Sequence, residues 1–131
     1  MECEFPTVNS KSEEIIEIFK NTKTIAIAGL SPDPSKASNM VAAYLQSVGF
    51  KIVPVYPKEE IILGEKVYRT ISEIPFKIDM VDIFRKPDAI AQIVDEAIQI
   101  GNIDTVWFQL GLVNNEAAAK AKEAGLKVVQ N

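Results

Sequence analysis

The chain has 131 residues, 47% of them hydrophobic and 24% charged, with 14 Lys+Arg against 18 Asp+Glu and a formal net charge of -4. That length suits one domain, residues 1–131, with one ordinary core, and no Lys/Arg cluster is dense enough to track a nucleic-acid backbone against the acidic field, so no nucleic-acid partner is expected. A single cysteine, Cys3, and the absence of histidine exclude an internal disulfide and a Cys/His zinc site, and no metal site is expected.

The opening "MECEFPTVNS" has no positive n-region and no apolar stretch of signal-peptide length, and no later run approaches ~20 apolar residues. A cytoplasmic protein without a membrane partner is expected. Ser10 followed by Glu13 forms a capping-box pattern, and Ile15, Ile18 and Phe19 share a helical face, which predicts a leading helix over 10–21 ahead of a core over 24–131. "TIAIAG" reads as a strand. After the turn "GLSPDPSKAS", Ala37, Met40, Val41, Tyr44, Leu45 and Val48 recur at helical spacing up to Gly49, which predicts an amphipathic helix. "FKIVPVYP" reads as a second strand, "YPKEEIILGEK" as the longest irregular segment, "KVYR" as a short strand and "ISEIP" as a helical turn. "DMVDIFR" is a strand followed by Pro87 at a first-turn position and by Ile90, Ile93, Val94, Ala97 and Ile98 on one face, with Gly101 past the end. "DTVWFQL" is a further strand, Asn114 caps a last helix that Gly125 stops, and "LKVVQ" is the final strand.

Strands that alternate with helices and are nearly continuous in Val, Ile and Phe imply an α/β fold, a Rossmann-like doubly wound and mostly parallel sheet with helices on both faces. Such sheets bind ligands beyond the carboxyl ends of their strands, where the strand order reverses. The first turn fits neither a dinucleotide fingerprint, because Ser31 and Pro34 stand where glycines belong, nor a P-loop, because Lys36 comes one residue late. It offers Gly29 for close backbone approach, the hydroxyls of Ser31, Ser35 and Ser38, and Lys36 at a helix start. Lysine has the wrong sign for that end of a helix, a mismatch that a bound anion would offset. Alternatively, Lys36 points into water and the serines cap the helix.

The other strand ends add Tyr56 and Pro57, which can flank an adenine ring, and Lys58, which can meet a phosphate or pair with Glu59 and Glu60 at the surface. Phe84 and Arg85 place an aromatic ring and a guanidinium at the same rim, unless they are a core phenylalanine and a solvated arginine. Gln109 and Gly111 follow the next strand. No nucleophile and base pair is evident, because Ser31 lacks a partner and Asp79 and Asp82 fall before or on a strand.

Taken together, "TIAIAGLSPDPSKASNMVAAYLQSVGF", "IVPVYP", "GEKVY", "VDIFRKP" and "VWFQLGLVNNEAAAKAKEAGLKVV" resemble the small CoA-binding proteins related to the CoA-binding domain of the succinyl-CoA synthetase alpha subunit. The resemblance implies a domain that holds CoA or acyl-CoA across its carboxyl edge. It implies that Gly29, Ser31, Lys36 and Ser38 meet the phosphates, that Pro57 and Lys58 form the nucleotide side, and that Phe84, Arg85 and Pro87 form the rim around the adenosine or pantetheine. Gln109 and Gly111 are the far wall. Tyr56 departs from the family's usual Asn, and the family's closing Arg-Cys segment has no counterpart here. The synthetase's phosphorylated histidine is absent as well, so the resemblance does not extend to succinyl-CoA synthesis. The function implied is non-catalytic CoA binding. The alternatives are an NAD(P)-binding or acyl-CoA-acting enzyme, and a metabolite-sensing subunit with a protein partner.

Overall fold

The computed structural model describes residues 12–109 and 114–130. Five parallel strands form one sheet in the order β2-β1-β5-β6-β7. They are β1 (Thr24–Ala28), β2 (Lys51–Val55), β5 (Met80–Ile83), β6 (Thr105–Phe108) and β7 (Lys127–Gln130). Between β2 and β5 the chain makes a small antiparallel hairpin, β3 (Ile61–Ile62) with β4 (Glu65–Lys66), and a 3-10 turn at Ile71–Glu73. The segment read from sequence as irregular therefore contains a hairpin, and "KVYR" contributes β4 and an isolated bridge from Tyr68 to Val55.

Side-chain alternation along each strand divides the core into two layers. Ala26, Val53, Val81, Ile83, Val106, Phe108 and Val128 face α3 (Pro87–Ile100) and α4 (Asn115–Glu123), meeting Ile90, Val94, Ala97, Ala118 and Ala121. Ile25, Ile27, Ile52, Met80 and Val129 face the opposite way, toward Ile18 of α1 (Ser12–Lys20) and Ala42 and Leu45 of α2 (Ala37–Ser47). Two helices on each face make the sheet doubly wound. The capping box at Ser10 lies outside the described residues, and α1 begins at Ser12.

Local chemistry sets the helix ends as the sequence implied. Pro87 opens α3 at a position where its missing N–H costs nothing, Gly101 ends that helix in the left-handed conformation, and the Asn114 side chain accepts from Ala117 N–H at 3.0 Å. Pro54 is tolerated because β2 is an edge strand. Its carbonyl accepts from Tyr68 N–H on the outer side, so the absent N–H removes nothing from the ladder to β1.

The amphipathic reading of α2 needs a correction. Its core-facing residues are Ser38, Asn39, Ala42 and Leu45, whereas Met40, Tyr44 and Val48 remain 60%, 65% and 52% exposed. The apolar periodicity is real but spans more of the helix circumference than the sheet covers.

Candidate functional site

β1 lies between β2 and β5, and the chain leaves it for β2 before crossing back to β5, so the strand order reverses between β1 and β5. A crevice at the carboxyl ends of these two strands is where this class of sheet receives ligands. Gly29 stands at that point with φ +90°, its N–H donating to Val55 C=O at 2.8 Å. A Cβ at Gly29 would lie 2.5 Å from Phe84 C=O and 2.9 Å from Arg85 Cδ. The close backbone approach expected of this glycine is therefore made to the neighbouring strand end, bringing the first turn and the Phe84–Arg85 pair together.

The turn that follows is held by its own side chains. Ser31 N–H donates to Ser38 Oγ at 3.0 Å, Asp33 N–H donates to Ser31 Oγ at 3.1 Å, and Asn39 Nδ2 donates to Ser31 C=O at 2.9 Å. Asp33 accepts from both the N–H and the hydroxyl of Ser35, at 2.9 and 2.8 Å. Those two bonds, with Lys36 nearby, hold the Asp33 carboxyl below its ordinary range. None of the serines caps α2. The N-cap is Lys36 itself, with no side-chain hydrogen bond to the helix start. The cap alternative for the serines is thus replaced by a loop-bracing role, in which Ser35 donates its O–H to Asp33 while the Ser31 and Ser38 hydroxyls accept and keep their own O–H for donation. Asn39, buried and essential to that bracing, carried no signal in the sequence beyond its place in the first turn of a helix.

On the β2 side, Tyr56 is half-buried against the α1/α2 layer and its N–H donates to Tyr68 C=O at 3.0 Å, while Pro57 and Lys58 are exposed. Phe84 packs partly into the same layer, so both aromatic rings are anchored against the core. Arg85 is exposed and, with Ala28, Val55, Arg69 and Gln92, lines a cleft of about 220 Å³. Pro87 lies at the start of α3, two residues beyond Arg85. Among the described residues Lys36, Lys58 and Arg85 form no salt bridge, which leaves three cations at this edge available to an anion.

Gln109 does not stand free at the rim: its Nε2 donates to Asp82 Oδ1 in a short hydrogen bond. Asp82 is 4% exposed in the middle of β5, and burial pushes its carboxyl up to about 7 against the lowering effect of the Gln109 bond. Gly111 lies outside the described residues. A larger cleft, about 630 Å³, lies at the opposite, amino-terminal edge, where Lys77 and two carboxylates are engaged with one another. There Lys77 bonds Asp79, Asp104 and the Asn102 carbonyl, and Asp79 also accepts from the N–H groups of Lys23 and Thr24. No helix among the described residues is long and apolar enough to cross a membrane.

Comparison with known proteins gives consistent kinship. Residues 23–131 match the family model described as CoA binding domain. The chain is 36% identical over 123 residues to the uncharacterized protein YneT of Bacillus subtilis (strain 168), covering 94% of this chain and 90% of that one. It is 29% identical over 113 residues to the acetate–CoA ligase [ADP-forming] II subunit alpha of Pyrococcus furiosus, covering 86% of this chain but 25% of that subunit. The structure of a hypothetical protein from Pyrococcus horikoshii OT3 superposes with a TM-score of 0.90 at 43% identity, covering 100% of this chain and 92% of that one.

Proposed function

The chain belongs to the CoA binding domain family, and from that premise we propose that it binds coenzyme A, free or acylated, at the carboxyl edge of its sheet and performs no chemistry of its own. The observation that carries this reading is the junction at Gly29, where a side-chain-free backbone abuts Phe84 and Arg85 beside a helix start capped by no side chain. CoA is polyanionic, and its phosphates need N–H donors and cations at one place. In this reading the Ser31 and Ser38 hydroxyls, the first N–H groups of α2 and Lys36 receive the pyrophosphate. Lys58 and Pro57 meet the nucleotide, Phe84 and Arg85 shape the rim, and Gln109 bounds the far side. Ser31 Oγ accepts from Asp33 N–H, while the Asp33 carboxylate is engaged by Ser35 and not by the Ser31 hydroxyl, which suits a hydrogen-bond donor to phosphate better than a nucleophile.

Calorimetric titration of ligand-stripped protein with CoA, acetyl-CoA and NAD(H) tests the reading. Micromolar CoA binding without an NAD(H) response is expected, whereas tight NAD(H) binding without CoA binding would overturn it. Lys36→Ala should weaken CoA about tenfold, roughly 1.4 kcal/mol, with the thermal midpoint unchanged; equal affinity would remove the phosphate turn from the site.

A second reading is favoured by the kinship with a ligase alpha subunit of which this chain spans a quarter. In it the domain presents CoA to a partner that supplies the chemistry. A partner that co-purifies and confers CoA-dependent turnover would support this reading, and a chain that binds CoA but stays monomeric in its native extract would oppose it.

A further inference from the structure

Arg69 is absent from the residues that the sequence marks, yet it organises the loop that presents Lys58. It follows β4 and the Tyr68–Val55 bridge, and its guanidinium turns back beneath the segment leaving β2. Nη1 donates to three carbonyls of that segment, Tyr56 at 3.0 Å, Lys58 at 2.9 Å and Glu59 at 2.8 Å, and Nη2 reaches Glu60 Oε1 at 3.3 Å. Three carbonyls converging on one point repel each other unless a cation lies among them. The convergence requires the chain to fold sharply, and Glu59 adopts φ +69°, a conformation that a residue with a Cβ adopts only when its surroundings impose it. The loop is also closed behind Arg69, by Tyr56 N–H on Tyr68 C=O and Val67 N–H on Glu60 C=O, each at 3.0 Å. Glu60 is 91% exposed, so its ion pair contributes little, and the carbonyl bonds make the clamp.

We propose that Arg69 is a positioning residue for the nucleotide side of the CoA site, holding the Tyr56–Glu60 loop in the one shape that presents Pro57 and Lys58 to the ligand. This rests on the CoA reading above. Its physical basis is preorganisation: an exposed lysine on a loose loop must lose that freedom on binding, whereas one on a clamped loop has already lost it on folding. Arg69 acts here through Lys58, so removing either residue should forfeit the same contribution.

The experiment has two arms on the full chain. Without ligand, backbone hydrogen exchange at Tyr56 and Val67, whose N–H groups close the loop on the Tyr68 and Glu60 carbonyls, should speed up at least tenfold in Arg69→Gln while exchange in β1 and β5 is unchanged; unchanged exchange at both positions overturns the clamp whatever the ligand. With ligand, CoA is titrated into the unaltered chain, Arg69→Gln, Lys58→Ala and the double variant. Each single change should weaken CoA about tenfold, and the double variant should be no more than about twofold weaker than either. Binding of 4′-phosphopantetheine, which lacks the nucleotide, should stay within about twofold throughout. Losses that multiply in the double variant would show that Arg69 acts independently of Lys58 and overturn the positioning role, as would an equal loss for phosphopantetheine. Failure of the unaltered chain to bind CoA would instead overturn the reading of the site, and this proposal with it, while the exchange arm would still report on the loop alone.

Discussion

At the scale of single residues, Gly29 and Asp82 make opposite demands on the molecule. Gly29→Ala places a Cβ 2.5 Å from a backbone carbonyl that cannot swing aside, at a positive φ. A loss on the order of 3 kcal/mol is expected, lowering the thermal midpoint by roughly 10 °C and CoA affinity with it. Asp82 is buried and its carboxyl titrates near 7 in the folded chain against an ordinary value of 3.8. Between about pH 4 and pH 7 the folded state therefore retains a proton that the unfolded state releases, and stability falls as pH rises through that window before levelling above it. Asp82→Asn keeps an acceptor for Gln109 Nε2 and removes the titration. Denaturant melts should show the variant close to the unaltered chain near pH 4 and progressively more stable toward pH 8, by roughly 4 kcal/mol at most. A constant difference between the two pH values would mean that Asp82 does not titrate in this range. The glycine's strain was legible, since a strand ending in Gly before a helix signals close approach. The aspartate's burial was not, because a sheet expected to carry helices on both faces does not say which strand positions those helices reach, and that is set by packing between distant parts of the chain.

At the scale of elements, helix ends follow sequence closely and helix faces less so. Asn114 at the N-cap of α4 and Gly101 at the end of α3 are local devices whose geometry involves neighbours a few residues away. Asn114→Ala should cost about 1 kcal/mol, measurable by chemical denaturation, through loss of the bond to Ala117 N–H. The stripe Met40, Tyr44 and Val48 has the right spacing for a buried face, yet stays exposed because α2 rests on the sheet through Ala42 and Leu45. Periodicity reports which residues share a side of a helix, and only the packing decides which of two apolar sides is covered.

At the scale of the whole molecule, α1 belongs to the core although it precedes the family match that begins at residue 23. Ile18 is buried, and the Phe19 ring lies 5.6 Å from Phe50 and 5.4 Å from Trp107, closing the sheet over β6. Phe19→Ala should lower stability by about 1–3 kcal/mol and shift the emission of Trp107, the single tryptophan, to longer wavelength; unchanged emission would place the ring outside that contact. The sequence by itself determined the alternation of strands and helices, the helix ends and the sheet edge on which Gly29, Lys36, Lys58 and Arg85 gather, because these depend on periodicities and caps written within a few residues of each other. Only the tertiary structure decided that Gly29 abuts Phe84, that Asp82 is dry and bonded to Gln109, and that Arg69 clamps a loop ten residues behind it. Those arrangements join residues distant in the chain, and their energies are set by what the fold brings into contact rather than by what stands beside them in sequence.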